Sequence, residues 1–81
     1  IGQNNGANHN NTFENAVINS RLIGINLEDS ENTTIRNMKF INQSQYAIRD
    51  HDSNGTGYST ILEESIDFKD IANGCIEYIQ D

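Results

Sequence analysis

The chain has no proline, no tryptophan and a single cysteine, and it sets only five Lys and Arg against twelve Asp and Glu. Each shortage removes a class of protein. One cysteine, Cys75, excludes an internal disulfide framework. It falls in an apolar repeat position, so a buried, inert thiol is expected rather than a nucleophile. Five scattered basic residues on a chain of formal charge −7 cannot form a phosphate-tracking stripe, which argues against nucleic acid as a partner. No signal or transmembrane pattern is visible, and no membrane partner is expected. Phosphate loops, zinc spacings and serine triads are missing too. Hydrophobic residues make up 35% of the 81, poor material for an isolated globule of this size. With Ile1 in place of a methionine, that composition points to a piece or processed product of a longer protein, one small domain at most.

Asparagine is what the chain has in abundance, with 13 copies. Asn tolerates left-handed backbone, and its amide bonds readily to nearby backbone. Asn-x-Ser/Thr triplets begin at Asn10, Asn32, Asn42 and Asn54, as chance allows in so Asn-rich a chain. Such a composition also suits disorder, but Ile, Val and Leu are spaced too regularly for that.

The regularity is a repeat. Phe13-Glu14-Asn15-Ala16-Val17-Ile18-Asn19-Ser20 is answered by Ile35-Arg36-Asn37-Met38-Lys39-Phe40-Ile41-Asn42, and more loosely by residues 62–70. A short apolar step follows each copy: Gly24-Ile25, Ala47-Ile48 and Cys75-Ile76. The spacing is 22 residues from Ile18 to Phe40 and 28 from Phe40 to Phe68, a period typical of stacked arrays. Period-two alternation in Ile23-Gly24-Ile25-Asn26-Leu27 predicts strands. Residues 62–72 also fit an amphipathic helix, a weaker reading because Ile66 and Phe68 match Met38 and Phe40.

Stacking the copies predicts four inward columns. They are Phe13, Ile35 and Ile61 or Leu62; Ala16, Met38 and Ile66; Ile18, Phe40 and Phe68; and Ile25, Ile48 and Ile76. Asn15 and Asn37 fall at a turn between strands, where their amides form a ladder that stops at Glu64 or Ser65. The expected fold is all-β, with about three coils over residues 11–32, 33–58 and 59–81, each about 4.8 Å above the last. Open coil edges invite stacking on flanking coils or on another chain.

The pattern Ile-x-Asn-x-x-Phe-x-Asn followed by a small–apolar pair resembles the coil of right-handed parallel β-helices, the pectate-lyase-like proteins, over roughly residues 10 to 81. The resemblance implies a solenoid that is part of a longer helix. It also implies a secreted or virion-associated protein that engages a polysaccharide, either as an enzyme or as a non-catalytic stretch of an adhesin or tailspike.

The second coil is longer by six residues, and the excess lies within residues 49–58. Long turns on a regular scaffold are where function usually sits. Asp50-x-Asp52-x-Asn54-Gly55 matches the opening of a Ca2+ loop, with oxygen ligands at alternate positions and glycine at the bend. The twelfth position, usually Glu, is Ile61, and Asp, Asn and Gly are also the ordinary residues of turns.

Tyr46-Ala47-Ile48-Arg49-Asp50-His51-Asp52 is similar to the Tyr-Gly-Phe-Asp-Pro-His-Asp/Glu segment of mannuronan C5-epimerases. Glu63-Glu64-Ser65-Ile66 and Asn73-Gly74-Cys75-Ile76 look like that family's next coil. The resemblance implies Tyr46 and His51 in proton abstraction and donation at sugar C5. Arg49 and Asp50 stand where the family has Asp and Pro. Arg49 supplies a cation that a uronate carboxylate would need. An unliganded, solvated loop histidine is the plainer reading of His51. Alignment of the coils also places Asn26, Arg49 and Glu77 in one outward row, with Glu28 and His51 two positions further on. That row is either a shallow sugar-binding groove or an ordinary polar face.

Overall fold

The structure is a computed structural model that describes residues 3–4, 10–53, 55 and 57–80. Eight strands and no helix form the regular structure of these residues. They are β1 (Gln3–Asn4), β2 (Thr12–Asn19), β3 (Ile23–Glu28), β4 (Thr33–Ile41), β5 (Tyr46–Asp52), β6 (Thr60–Leu62), β7 (Ile66–Lys69) and β8 (Gly74–Gln80). One sheet has the order β1-β3-β5-β8; in the other β4 pairs with β2 on one side and with both β6 and β7 on the other. Every pairing is parallel. Parallel neighbours need a crossover between them, and here each crossover runs through the opposite sheet, as one strand or, between β5 and β8, as β6 and β7. The chain therefore passes alternately through the two sheets.

Strand register fixes what lies beside what. Phe13 pairs with Ile35, Ala16 with Met38 and Ile18 with Phe40. Ile35 then pairs with Leu62, not Ile61. Met38 pairs with Ile66 and Phe40 with Phe68, and the Phe40 and Phe68 rings stack with centroids 5.5 Å apart. In the other sheet Ile25, Ile48 and Ile76 are neighbours. The fully enclosed apolar residues cluster in the middle rungs: Ile25, Leu27, Ile35, Phe40, Ala47 and Ile48. Residues 62–72 hold β7 and part of β6 rather than a helix. The period-two match to Met38 and Phe40 prevails because it buries Ile66 and Phe68 against an existing column.

Cys75 corrects an expectation, because its thiol is exposed. The position is the apolar one, and its predecessor Ala47 is fully buried. β8, however, is an outer strand of its sheet, and among the described residues no other strand lies beyond it over Cys75.

The asparagines mark the bends. Apart from Asp29, the non-glycine residues with positive φ fall into register groups: Asn10 with Asn32; Asn15, Asn37 and Ser65; and Ser20, Asn42 and Asp70. Left-handed backbone costs most residues about 1–2 kcal/mol and Asn least, so stacked bends select Asn, Asp and Ser. The Asn37 Nδ2 donates to Asn15 Oδ1 at 2.6 Å, and in the next rung Ser65 keeps the φ but ends the amide ladder. Asn37→Ala should cost about 1–2 kcal/mol through lost bonding and backbone strain. Asn37→Gly, which removes only the bond, should cost less. Urea midpoints for the pair check this, and equal midpoints would refute the backbone contribution.

Candidate functional site

Within β5 the side chains alternate. Ile48, Asp50 and Asp52 are buried, whereas Arg49 and His51 are half-exposed. Ala47 is buried next to Ile48. The ladder also skips Gly24–Ala47 and Ala47–Cys75. Two successive buried residues and a skipped rung mark a corner in the strand. Tyr46 lies before this corner and Arg49 after it.

The row forms in register, with the Asn26 Oδ1 enclosed and without a hydrogen-bond partner among the described residues. Asn26 pairs with Arg49, and Arg49 with Glu77. Arg49 Nε donates to Glu77 Oε1 at 2.7 Å, and Arg49 Nη2 to Gln45 Oε1 at 3.1 Å. His51 Nδ1 is 4.0 Å from Glu28 Oε1 on the other neighbouring strand. Arg49 thus turns toward β8 and His51 toward β3. Tyr46 pairs with Gly74, and its ring covers that residue: a Cβ added there would stand 3.4 Å from Tyr46 Cε1. Tyr46, Arg49 and His51 share one strand, but Tyr46 and Arg49 make their contacts with β8, at Gly74 and Glu77, and His51 with Glu28 of β3.

The two loop acids face inward. Asp50 Oδ2 accepts Ser59 N–H at 3.0 Å, Thr60 N–H at 2.9 Å and Thr60 Oγ1–H at 2.6 Å. Asp52 accepts Gly55 N–H at 3.0 Å and Gly57 N–H at 2.9 Å. Asp29 receives both Ser53 N–H and Ser53 Oγ–H, at 2.6 and 2.7 Å. The acids therefore fold the long turn by accepting its backbone N–H groups. Gly55 and Gly57 supply its left-handed positions, with φ of 82° and 97°. Asn54, the third residue of the expected cation loop, lies outside the described residues. Among the described residues no three His, Cys, Asp or Glu side chains gather as a metal-binding group.

Asp50 continues the inward column of Leu27 and meets Tyr78. Sequence reasoning missed Ser59, Thr60 and Gln45 as partners. The inward parity of Asp50 was the available signal, since a buried carboxylate must find donors. The Tyr78 ring packs on Tyr58 with centroids 4.8 Å apart. Its hydroxyl is held above the usual value of 10.0, first by desolvation and then by the charge of Asp50. Asp50→Asn should lower that value partway, because the desolvation persists, and a spectrophotometric phenol titration reads it. A raised folded value means that Tyr78 contributes its stability below pH 10 and loses it as pH climbs through the folded value. Unfolding midpoints should therefore fall above pH 10, and less so in Tyr78→Phe.

No protein-family model, curated protein or solved structure matches this chain.

Proposed function

We propose that the chain is a stretch of a right-handed parallel β-helix, of the pectate-lyase-like kind, that binds a polysaccharide along the outer face of the β3–β5–β8 sheet. The observation that carries this reading is the in-register row of Asn26, Arg49 and Glu77. An amide, a guanidinium and a carboxylate recur there at single-strand intervals of about 4.8 Å. Gln45 and Glu77 hold Arg49 in place. Polar groups fixed before binding lose little freedom when an extended ligand arrives. Right-handedness rests on the general rule for crossovers between parallel strands of one sheet. A partner of this kind places the protein outside the cell or on a virion.

Lyase or C5-epimerase chemistry is the catalytic extension of the same reading. Tyr46 and His51 would exchange protons at C5 while Arg49 neutralises the uronate, and the uronate would have to displace Glu77 from Arg49. Calorimetric titration with uronate and neutral hexasaccharides tests the binding. Arg49→Ala should weaken it about tenfold, and an unchanged affinity would sink the row as the site. Deuterium uptake at C5 in heavy water, lost in His51→Ala, tests the chemistry. Its absence in the unaltered chain would confine the face to binding.

One observation favours a purely structural alternative, a stretch of adhesin or tail fibre that stacks on flanking coils or another chain. Ile61 and Leu62 are 44% and 42% exposed at the sheet edge, and Phe68 and Ile76 are only partly covered. Open edges of parallel sheets invite further strands. Sedimentation should then show a mass that rises with concentration; a constant monomer mass counts against it.

A further inference from the structure

The opposite sheet carries a concavity, which neither the row above nor the long turn uses. A groove of about 540 Å³ runs along the bend shared by β2, β4 and the β6–β7 connection. The buried Met38 and half-buried Ala16 form its floor, and the exposed amides of Asn15 and Asn37 and the backbone bend at Ser65 line one side. The other side is the register row Val17, Lys39 and Asp67. Beyond the asparagines runs the row Glu14, Arg36 and Glu63, in which Arg36 is bound by both acids at 2.9 and 3.3 Å. Those contacts, Glu14 first, hold the guanidinium above its ordinary value and leave that row self-satisfied.

The groove itself is not self-satisfied. Among the described residues Lys39 makes no ion pair. The Asn37–Asn15 bond uses one hydrogen of one amide and one oxygen of the other, so Asn15 keeps its donors and Asn37 its acceptor. Val17 is 62% exposed beside these polar groups. A lone exposed valine is ordinary, but here it provides an apolar step in a polar trough.

The geometry points to this groove as a binding site for a neutral, linear oligosaccharide lying along the stacking direction. The groove crosses successive strands, so it repeats at about 4.8 Å, a length of the order of one linked pyranose ring. An extended peptide repeats at about 3.3 Å and would fall out of step with the amides. Amide, hydroxyl, ammonium and carboxylate groups in alternation match vicinal hydroxyls, which both donate and accept. Val17 offers an apolar surface to the C–H face of a ring. The lining carries one cation and one anion, Lys39 and Asp67, whereas the chain as a whole carries −7. That field repels a polyanion and is indifferent to a neutral chain.

The test is an NMR titration of the isotope-labelled chain with gluco-, manno-, galacto- and xylo-hexasaccharides, and with a hexauronate as control. At least one neutral hexamer should shift the amide resonances of Val17, Lys39 and Asp67 at millimolar concentration. Asp67→Ala should weaken that binding about tenfold, and Arg49→Ala should leave it unchanged. Asp67→Lys should turn preference toward the uronate. No shift at these residues with any neutral hexamer overturns the proposal, as does binding that depends on Arg49 and ignores Asp67. Because Arg49 belongs to the opposite sheet, its variant separates failure of this groove from failure of the β3–β5–β8 face.

Discussion

Asp50→Ala is expected to lower stability by about 3–4 kcal/mol. Its Oδ2 accepts two backbone N–H groups and one hydroxyl, and the residue is 1% exposed. Hydrogen bonds to a charged group contribute roughly 1.5–3 kcal/mol each, and a buried donor left unpaired costs a further 1–3 kcal/mol. Alanine would strand the Ser59 and Thr60 N–H groups where the chain re-enters the second sheet. The neighbouring bonds, Ser59 Oγ–H to Thr33 Oγ1 at 3.2 Å and Thr33 N–H to Ser59 O at 3.0 Å, would loosen with them. Such a loss is a large share of the roughly 5–15 kcal/mol that holds a domain together. Asp50→Asn keeps an oxygen for the same donors and should cost only about 1–2 kcal/mol. Urea denaturation of both variants checks the order. An alanine variant as stable as the unaltered chain would remove Asp50 from the turn's support.

Gly24→Ala is the second large effect, at about 2–3 kcal/mol. A Cβ at this position would stand 2.5 Å from the Ala47 carbonyl oxygen and 2.8 Å from Phe40 Cδ1. The first obstacle is backbone in the next strand, and the second is a ring that is itself fully enclosed. Neither can withdraw without opening the core. The next rung accepts a methyl at Ala47, so the requirement belongs to this place and not to the repeat position. Phe40→Leu in the same chain should recover part of the loss by removing the ring contact while leaving the carbonyl. Thermal melts of the single and double variants read the coupling. Strict additivity would show that Phe40 is not the obstacle.

Much of this fold can be read from spacing alone, and the reason is the parallel stack. When identical positions of successive copies lie side by side, aligning the copies is the same operation as reading strand register. Phe13–Ile35, Ile18–Phe40–Phe68, Ile25–Ile48–Ile76 and Asn26–Arg49–Glu77 follow directly. The bends were legible only where asparagine repeats at the same place. Asn15 and Asn37 stood out, whereas the group of Ser20, Asn42 and Asp70 did not. Three residue types can occupy one left-handed position, so composition obscures the column.

Along β5 Asp50 and Asp52 face away from Arg49 and His51, as strand alternation requires, and the period located the one long turn. What alternation left open is which polar groups meet. Arg49 binds Glu77 and Gln45 rather than standing free for a ligand. Asp50 and Asp52 accept the turn's own N–H groups. Those choices depend on where an insertion folds back, and an insertion has no copy to align with. The exposure of Cys75 was equally beyond the pattern, since a repeat states which way a side chain points but not whether another strand covers it. Sequence by itself therefore determined the strands, their register and their inward columns, because each is a property of the period. Tertiary structure decided the partners of Arg49 and the loop acids and the groove beside Lys39, because these arise from contacts between rows and not within one.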